Sequence, residues 1–401
     1  MKPKPFSDGT GSPLIGVRVL DLSRLAAGNM LTHMFADFGA DVIKIERPGV
    51  GDDLRRFGKH ESWWKEYSRS KRSLSLNPRS EEGQDVLLKL TETADVFVEN
   101  FVPGTLEKWG LGPEQLMARN PGLVIVRVSG WGQSGPNAQK PGFGSLIEAM
   151  SGFAAMNGFA DREPLLPPLA LADMIAGLAG FGGALAALRA RERGFARGQV
   201  IDLSLFEPLF SILGPMATAY AIDGTTPKRS GNWGDVAAPR NIYQCADGGY
   251  VAMSATMQSM WEKLANAIGQ PELIKDPRFL TNPDRVQNRA PLEAIVGAFF
   301  SQRTVAENLT YFEEQGITVG PICDIADLME HPYIQGREVV GAYADPDHGV
   351  LPMHAPFPRL SQTPANVRAP APALGQDNDD VLAEIGLSPE QIAALRDKGI
   401  I

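Results

Sequence analysis

An acidic side chain inside an apolar run has few ordinary uses, and Asp173 is such a residue, set in the stretch Pro167 to Arg193, PPLALADMIAGLAGFGGALAALRARER. Three readings fit it. As a helix N-cap, its carboxylate accepts hydrogen bonds from the free N–H groups of a first turn, and periodic apolar residues begin just after it. As part of a membrane span, it belongs to Leu169–Leu188, about twenty mostly apolar residues and roughly enough to cross a bilayer. As a nucleophile, a carboxylate at the mouth of a glycine-rich helix lies near free N–H groups and the positive end of the helix dipole, so it stays ionised and can attack a carbonyl. From this stretch alone the cap is the commonest of the three. The span fits least: the acid near one end, six glycines from Gly152 to Gly183 and polar flanks on both sides describe a buried helix.

A second chemical signal is the segment Lys44 to Arg72, with nine Lys or Arg against five Asp or Glu in a chain whose net charge is −9. It reads either as a solvated loop or as a landing site for a polyanionic cofactor tail. Metal and serine-hydrolase chemistry find no footing. His33, His60, His331, His348 and His354 show neither HxH nor HExxH spacing, Cys245 and Cys323 have no CxxC partner, and GQSGP lacks the spacing of a nucleophile elbow. Two distant cysteines suit a reducing cytoplasm. The N-terminal MKPKPFSDGTGSPLIG lacks the apolar core of a secretory signal, and the acidic balance argues against nucleic acid or an anionic membrane as partner.

The elements that must carry these residues read as an α/β protein. At 401 residues, 43% hydrophobic and 21% charged, the composition predicts a globular chain of two or three domains. Gly16 to Ser23 reads as a buried strand, Gly28 to Phe38 as a helix and Ala40 to Glu46 as a second strand, a βαβ opening. In its first turn, SRLAAGNM offers only Gly28 where a dinucleotide fold shows GxGxxG, so a nicotinamide cofactor is disfavoured. A helix near Ser80 to Thr93, strands at Ala94 to Phe101 and within Pro121 to Gly130, a helix from Ser145, a strand at Gln199 to Leu205 and a helix from Phe206 to Ile222 continue the pattern. Ligands in such sheets bind beyond the carboxyl ends of the strands, which singles out Asn100, Phe101 and the loop GWGQSGPNAQKPGFG. These signals divide the chain into a large domain over residues 1–222, a Gly- and Pro-rich linker at 223–239, a smaller domain at 240–324 opening with the hairpin NIYQC-ADGG-YVAMSA, and a return segment at 325–401.

Six segments taken in order, GVRVLDLSRLAAG, GADVIKIERPGVGDDLRR, SKRSLSLN, ADVFVENFVPGTLEKWGLG, GWGQSGP and LADMIAG, resemble the family III CoA-transferases, the CaiB/BaiF family, and the resemblance covers nearly the whole chain. It implies a Rossmann-like large domain completed by the return segment, a smaller α+β domain, and an interlocked homodimer. It also implies coenzyme A or acyl-CoA as substrate, with no tightly bound cofactor. Carried over by position, the nucleophile falls on Asp173. The CoA contacts fall on Arg47, Leu76, Arg79, Asn100, Phe101, Lys108 and Lys140, the cations meeting the phosphates while Phe101 and Leu76 border the adenine or the pantetheine arm. The implied reaction moves CoA from an acyl-CoA donor to a free carboxylate acceptor through an aspartyl anhydride and an aspartyl-CoA thioester.

Departures from the family pattern bear on the acceptor. Lys108 stands where several transferases carry Arg, Ala26 where some carry Gln, and Phe143-Gly144 where some carry Tyr-Glu. Fewer polar groups near the pocket point to an acid larger or less polar than formate or oxalate. The rival within the family is an α-methylacyl-CoA racemase, which needs two bases and in its relatives has a His-Asp pair at Phe143-Gly144. Phe143 cannot take a proton. A rival of another class, a CoA-binding protein without turnover, would keep the basic positions and need no Asp173.

Overall fold

Strands buried on both faces carry apolar residues at consecutive positions, and VRVLDL and LVIVRV are runs of this kind. In the computed structural model, which describes residues 2–234 and 236–401, they form the middle of a parallel sheet. In chain order the elements are β1 (Arg18–Asp21), α1 (Ala26–Asp37), β2 (Asp41–Glu46), α2 (Ser62–Tyr67), β3 (Arg72–Ser75), α3 (Glu81–Thr91), β4 (Val96–Glu99), α4 (Thr105–Lys108) and α5 (Pro113–Arg119). They continue with β5 (Val124–Ser129), α6 (Gly144–Met150), α7 (Phe153–Met156), α8 (Leu171–Glu192), β6 (Gln199–Ser204) and α9 (Phe206–Ser211). The sheet order is β3-β2-β1-β4-β5-β6, the order of doubly wound nucleotide-binding folds. All its pairings are parallel, with Val19 of β1 opposite Val42 on one side and Val96 on the other.

Because side chains alternate across a strand, each strand feeds two cores. Val19, Val96, Val98, Val124 and Val126 pack with Leu31 and Phe35 of α1 and with Ala172, Ala176 and Ala184 of α8. Leu20, Ile43, Leu74, Phe97 and Ile125 point the other way, onto α3, α5 and the C-terminal residues Val381, Leu382, Ile392 and Leu395. By length and mean hydropathy of 1.7, α8 could cross a bilayer. Its small-residue face instead packs into the core on α1.

The chain separates into two contact-dense units. The first comprises the chain up to Gly152, Pro167–Gly214 and Gly336–Ile401; the second comprises Phe153–Leu166 and Pro215–Gln335. These bounds differ from the expected 1–222, 223–239, 240–324 and 325–401. The expected helix from Phe206 to Ile222 is broken: α9 stops at Ser211, Gly214 takes φ +84°, and a separate helix begins after Pro215. Residues 153–166 belong with the second unit because Arg229 donates to the carbonyls of Phe159 and Arg162, and Gly231 N–H to that of Gly158.

The second unit has a three-stranded antiparallel sheet of β7 (Arg240–Gln244), β8 (Tyr250–Ser254) and β9 (Val319–Pro321), with the expected hairpin as its first two strands. Its core is aromatic, built on Trp261, Phe279, Phe300 and Phe312. In the first unit, the return segment adds a two-stranded antiparallel ribbon, Val340–Asp345 with Gly349–His354.

Candidate active site

The sheet order runs outward in opposite directions from β1 and β4, so the loops leaving these neighbours diverge and open a crevice at their carboxyl ends. Asn100 spans it: its Nδ2 donates to the Arg24 carbonyl at 2.7 Å and its Oδ1 accepts from the Arg24 N–H at 2.8 Å. The adjoining cleft encloses about 410 Å³ and takes in Arg47, Leu76, Arg79 and Phe101 of the expected residues, together with Arg24 and Trp109. Phe101 meets Trp109 edge-on with centroids 5.1 Å apart, and the Arg79 guanidinium lies 5.3 Å from the centre of the same indole. An apolar aromatic wall rimmed by cations is what a purine and its phosphates require. Asn100 thus shapes the crevice through the backbone after β1. Lys108 and Lys140 are exposed, the first at the end of α4 and the second in the loop after β5, and neither lines this cleft.

Most of the positive excess between Lys44 and Arg72 has partners within the protein. Lys44 pairs with Asp21 and Asp52, Arg55 with Glu46, Lys65 with Asp345 and Asp347, Arg69 with Asp37, Lys71 with Asp21, and Arg72 with Asp41 and Glu384. The segment as a whole is therefore no polyanion landing site. Arg47 remains exposed at the lip of the cleft.

The buried part of this network fixes the turn into α1. Asp52 accepts from the N–H groups of Leu25 at 3.0 Å and Leu54 at 2.8 Å, and from Asn29 Nδ2 at 2.8 Å. These bonds hold Leu25 at φ 59°, ψ −140°, a conformation an L-residue adopts only when its surroundings impose it. Lys71, enclosed beneath, is pushed down to about 8, chiefly by burial.

The imposed turn aims the start of α1 at α8. The two helices approach closely because α8 presents glycine: a Cβ on Gly177 would lie 2.7 Å from Met30 Cβ, and one on Gly180 2.5 Å from Leu31 Cδ1. Asp173 is not the N-cap of α8. That position is Ala170, without a side-chain cap bond, and Asp173 is the third residue of the first turn. The N–H groups of Ala27 and of Asp173 itself favour the ionised form of its carboxylate.

Gly144, first residue of α6, makes room for the carboxylate, since a Cβ there would overlap Asp173 Oδ2. The helix terminus was expected to keep Asp173 ionised. Burial and then the neighbouring Glu148 raise it to about 6, the two backbone N–H groups offsetting only part of this. At neutral pH the group is still mostly ionised, and it is a more basic, more nucleophilic carboxylate than an exposed one.

Trp109 and Arg24 were missed by the sequence reading although both lie inside segments it singled out. Glu148, missed as well, carries in SLIEAMSG the signal that drew attention to Asp173: one acid among apolar neighbours. Among the described residues no group of three or more His, Cys, Asp or Glu is placed to hold a metal.

A parallel sheet with a nucleotide-sized crevice after β1, and a raised carboxylate where α1 packs on α8, describes an acyl- or group-transfer enzyme that grips a nucleotide handle. The sequence profile of CoA-transferase family III matches residues 14–378, and the chain belongs to that family. It is 39% identical to a succinyl-CoA–D-citramalate CoA-transferase of Chloroflexus aurantiacus, with 97% of this chain and 98% of the relative aligned. It is 38% identical to the beta subunit of a succinyl-CoA–L-malate CoA-transferase of the same organism, over 98% of this chain and 100% of the relative. The crystal structure of a CaiB/BaiF family protein from Brucella suis superposes with a TM-score of 0.82 at 33% identity, covering 93% of this chain and 99% of that one. The protein is an enzyme that transfers CoA from an acyl-CoA to a carboxylic acid. Phe143 and Gly144 supply no second base for the racemase alternative.

Proposed function

We propose that Asp173 is the nucleophile of a succinyl-CoA-dependent transferase whose acceptor is a malate-type hydroxydicarboxylic acid, with the adenosine end of CoA in the cleft beside Asn100. The observation that carries this reading is the Asp173 carboxylate itself, set in the first turn of α8 against the gap left at Gly144 and raised to about 6, chiefly by burial. The relatives named for succinyl-CoA with D-citramalate or L-malate support the donor and acceptor.

The reaction proceeds in four balanced steps. Asp173 attacks the succinyl thioester carbonyl, forming a mixed anhydride and releasing CoA thiolate. The thiolate attacks the aspartyl carbonyl, giving an aspartyl-CoA thioester and free succinate. The acceptor carboxylate then displaces the thiolate to form a second anhydride, and the thiolate attacks its acceptor-side carbonyl, returning the Asp173 carboxylate. Each step exchanges thioester for anhydride or the reverse, so no step is steep provided water stays out. The Ala27 N–H, which favours the ionised carboxylate in the resting enzyme, can likewise stabilise the oxyanion at the aspartyl carbonyl.

Incubation with succinyl-CoA followed by borohydride or hydroxylamine trapping should leave the modification on the peptide containing Asp173. Modification elsewhere would overturn the assignment. For the cleft, Arg79→Ala should raise the acyl-CoA KM about tenfold and leave kcat within about twofold, because a phosphate contact far from the reacting carbonyl contributes equally to ground and transition states. An unchanged KM would remove Arg79 from the CoA site.

An interlocked homodimer is part of this reading. Leu178 on α8 (39% exposed), Val200 on β6 (42%) and Phe210 on α9 (40%) leave apolar surface that a second subunit would cover. The unpaired thiols of Cys245 and Cys323 support a reducing, cytoplasmic setting.

A further inference from the structure

The chemistry above uses one carboxylate, and a second is buried beside it. Glu148, on α6, is 2% exposed. Its Oε1 accepts at 3.2 Å from the N–H of Ala172, the residue immediately before Asp173. A Cβ on Gly144 would overlap Asp173 Oδ2 and stand 3.8 Å from Glu148 Oε1, so the two acids border the same gap left by the absent side chain. The other charged groups on the elements packed against α6 and α8 are engaged elsewhere. His33 and Asp37 of α1 are with Arg69, Arg127 of β5 is with Glu99 and Glu107, Asp202 of β6 accepts from the Gln133 N–H, and Glu207 of α9 is bonded to Ser204. Asp173 is half-buried, and holding it beside the buried Glu148 with no counter-charge among the described residues is costly, so the arrangement needs a use.

We propose that Glu148 is a positioning residue whose charge acts through Asp173, destabilising the free carboxylate relative to every acylated form. The inference rests on Asp173 being the nucleophile. When Asp173 attacks, an Oδ–C bond forms, the C–S bond breaks, and the negative charge leaves with sulfur as CoA thiolate; no proton moves. The anhydride and the aspartyl-CoA thioester carry no charge at residue 173, so both escape the repulsion. Glu148 thus drives the enzyme into its covalent states, and its bond to the Ala172 N–H keeps the first turn of α8 in register with the attacking oxygen.

Glu148→Gln is the informative variant, since an amide oxygen still accepts from Ala172 while the charge is gone. Exchange of labelled succinate into succinyl-CoA is measured across roughly pH 5 to 8. In the parent the acid limb falls near the Asp173 value of about 6. In E148Q the limb moves down by about one pH unit and the plateau rate falls about tenfold, because a less basic carboxylate is a weaker nucleophile. E148D, which restores the charge, brings the limb back toward the parent. An E148Q enzyme with the parent limb overturns the proposal, whatever its plateau, because loss of structure alone would lower the rate without moving the limb. Borohydride trapping in the same samples separates this failure from the deeper one: modification of Asp173 with unchanged pH dependence rejects Glu148 alone, whereas absence of modification at Asp173 in the active parent rejects the nucleophile.

Discussion

Asn in place of Asp173 yields a folded protein that binds acyl-CoA but exchanges CoA between acids at least roughly 10³-fold more slowly, since the amide cannot form the anhydride on which each later step depends. The measurement is isotope exchange between succinate and succinyl-CoA, with CoA affinity and the thermal midpoint as controls. The midpoint should not fall. A carboxyl whose folded value lies above its unfolded one costs stability at every pH above the unfolded value, and that cost is fully developed above about 6. Removing the charge at pH 7 therefore relieves the fold. An inactive D173N enzyme that also melts much earlier would instead mark Asp173 as a structural residue.

Gly144→Ala should come next in size. Gly144 opens α6 without a positive φ, so alanine suits the backbone, but its Cβ would occupy the space of Asp173 Oδ2. The short Asp side chain can yield only by rotating its carboxylate out of the space that Gly144 leaves. Misplacing a reacting atom by about an ångström costs on the order of 10²-fold in rate. We expect kcat to drop by that amount while the acyl-CoA KM stays within about threefold, because the nucleotide cleft does not include Gly144. A G144A enzyme with parental kcat would mean that the attacking oxygen is not held where this structure holds it.

Both substitutions concern contacts that local pattern carries unevenly. The sheet was legible because VRVL, DVIKIE, VFVE and VIVRVS are apolar at adjacent positions, the mark of strands covered on both sides, and because Asn100 and Phe101 end one of them. β3 escaped notice since RSLS is short and polar at three of its four positions; Ser73 spends its hydroxyl on Glu46 at 2.7 Å, a partner on the neighbouring strand. The cations from Lys44 to Arg72 looked available because composition shows charge without its partners, several of which, Asp345, Asp347 and Glu384 among them, lie hundreds of positions away. Asp173 was found from its apolar setting and its ionisation from the helix terminus, but the rise of its pKa to about 6 was not. The helix terminus is local and visible in sequence, whereas burial and Glu148 are tertiary and together outweigh it.

The division of the first unit into separated stretches of chain has a consequence for how the protein is made. Leu20, Ile43 and Leu74 on one face of the sheet wait for Val381, Leu382, Ile392 and Leu395 to cover them, and the intervening second unit must be synthesised first. Bringing such distant segments together is entropically slow, and a greasy surface stays open to water meanwhile. Newly translated chains are thus at their most vulnerable to clumping just before the last two helices arrive, when a chaperone that shields the uncovered strands would have its greatest effect on yield.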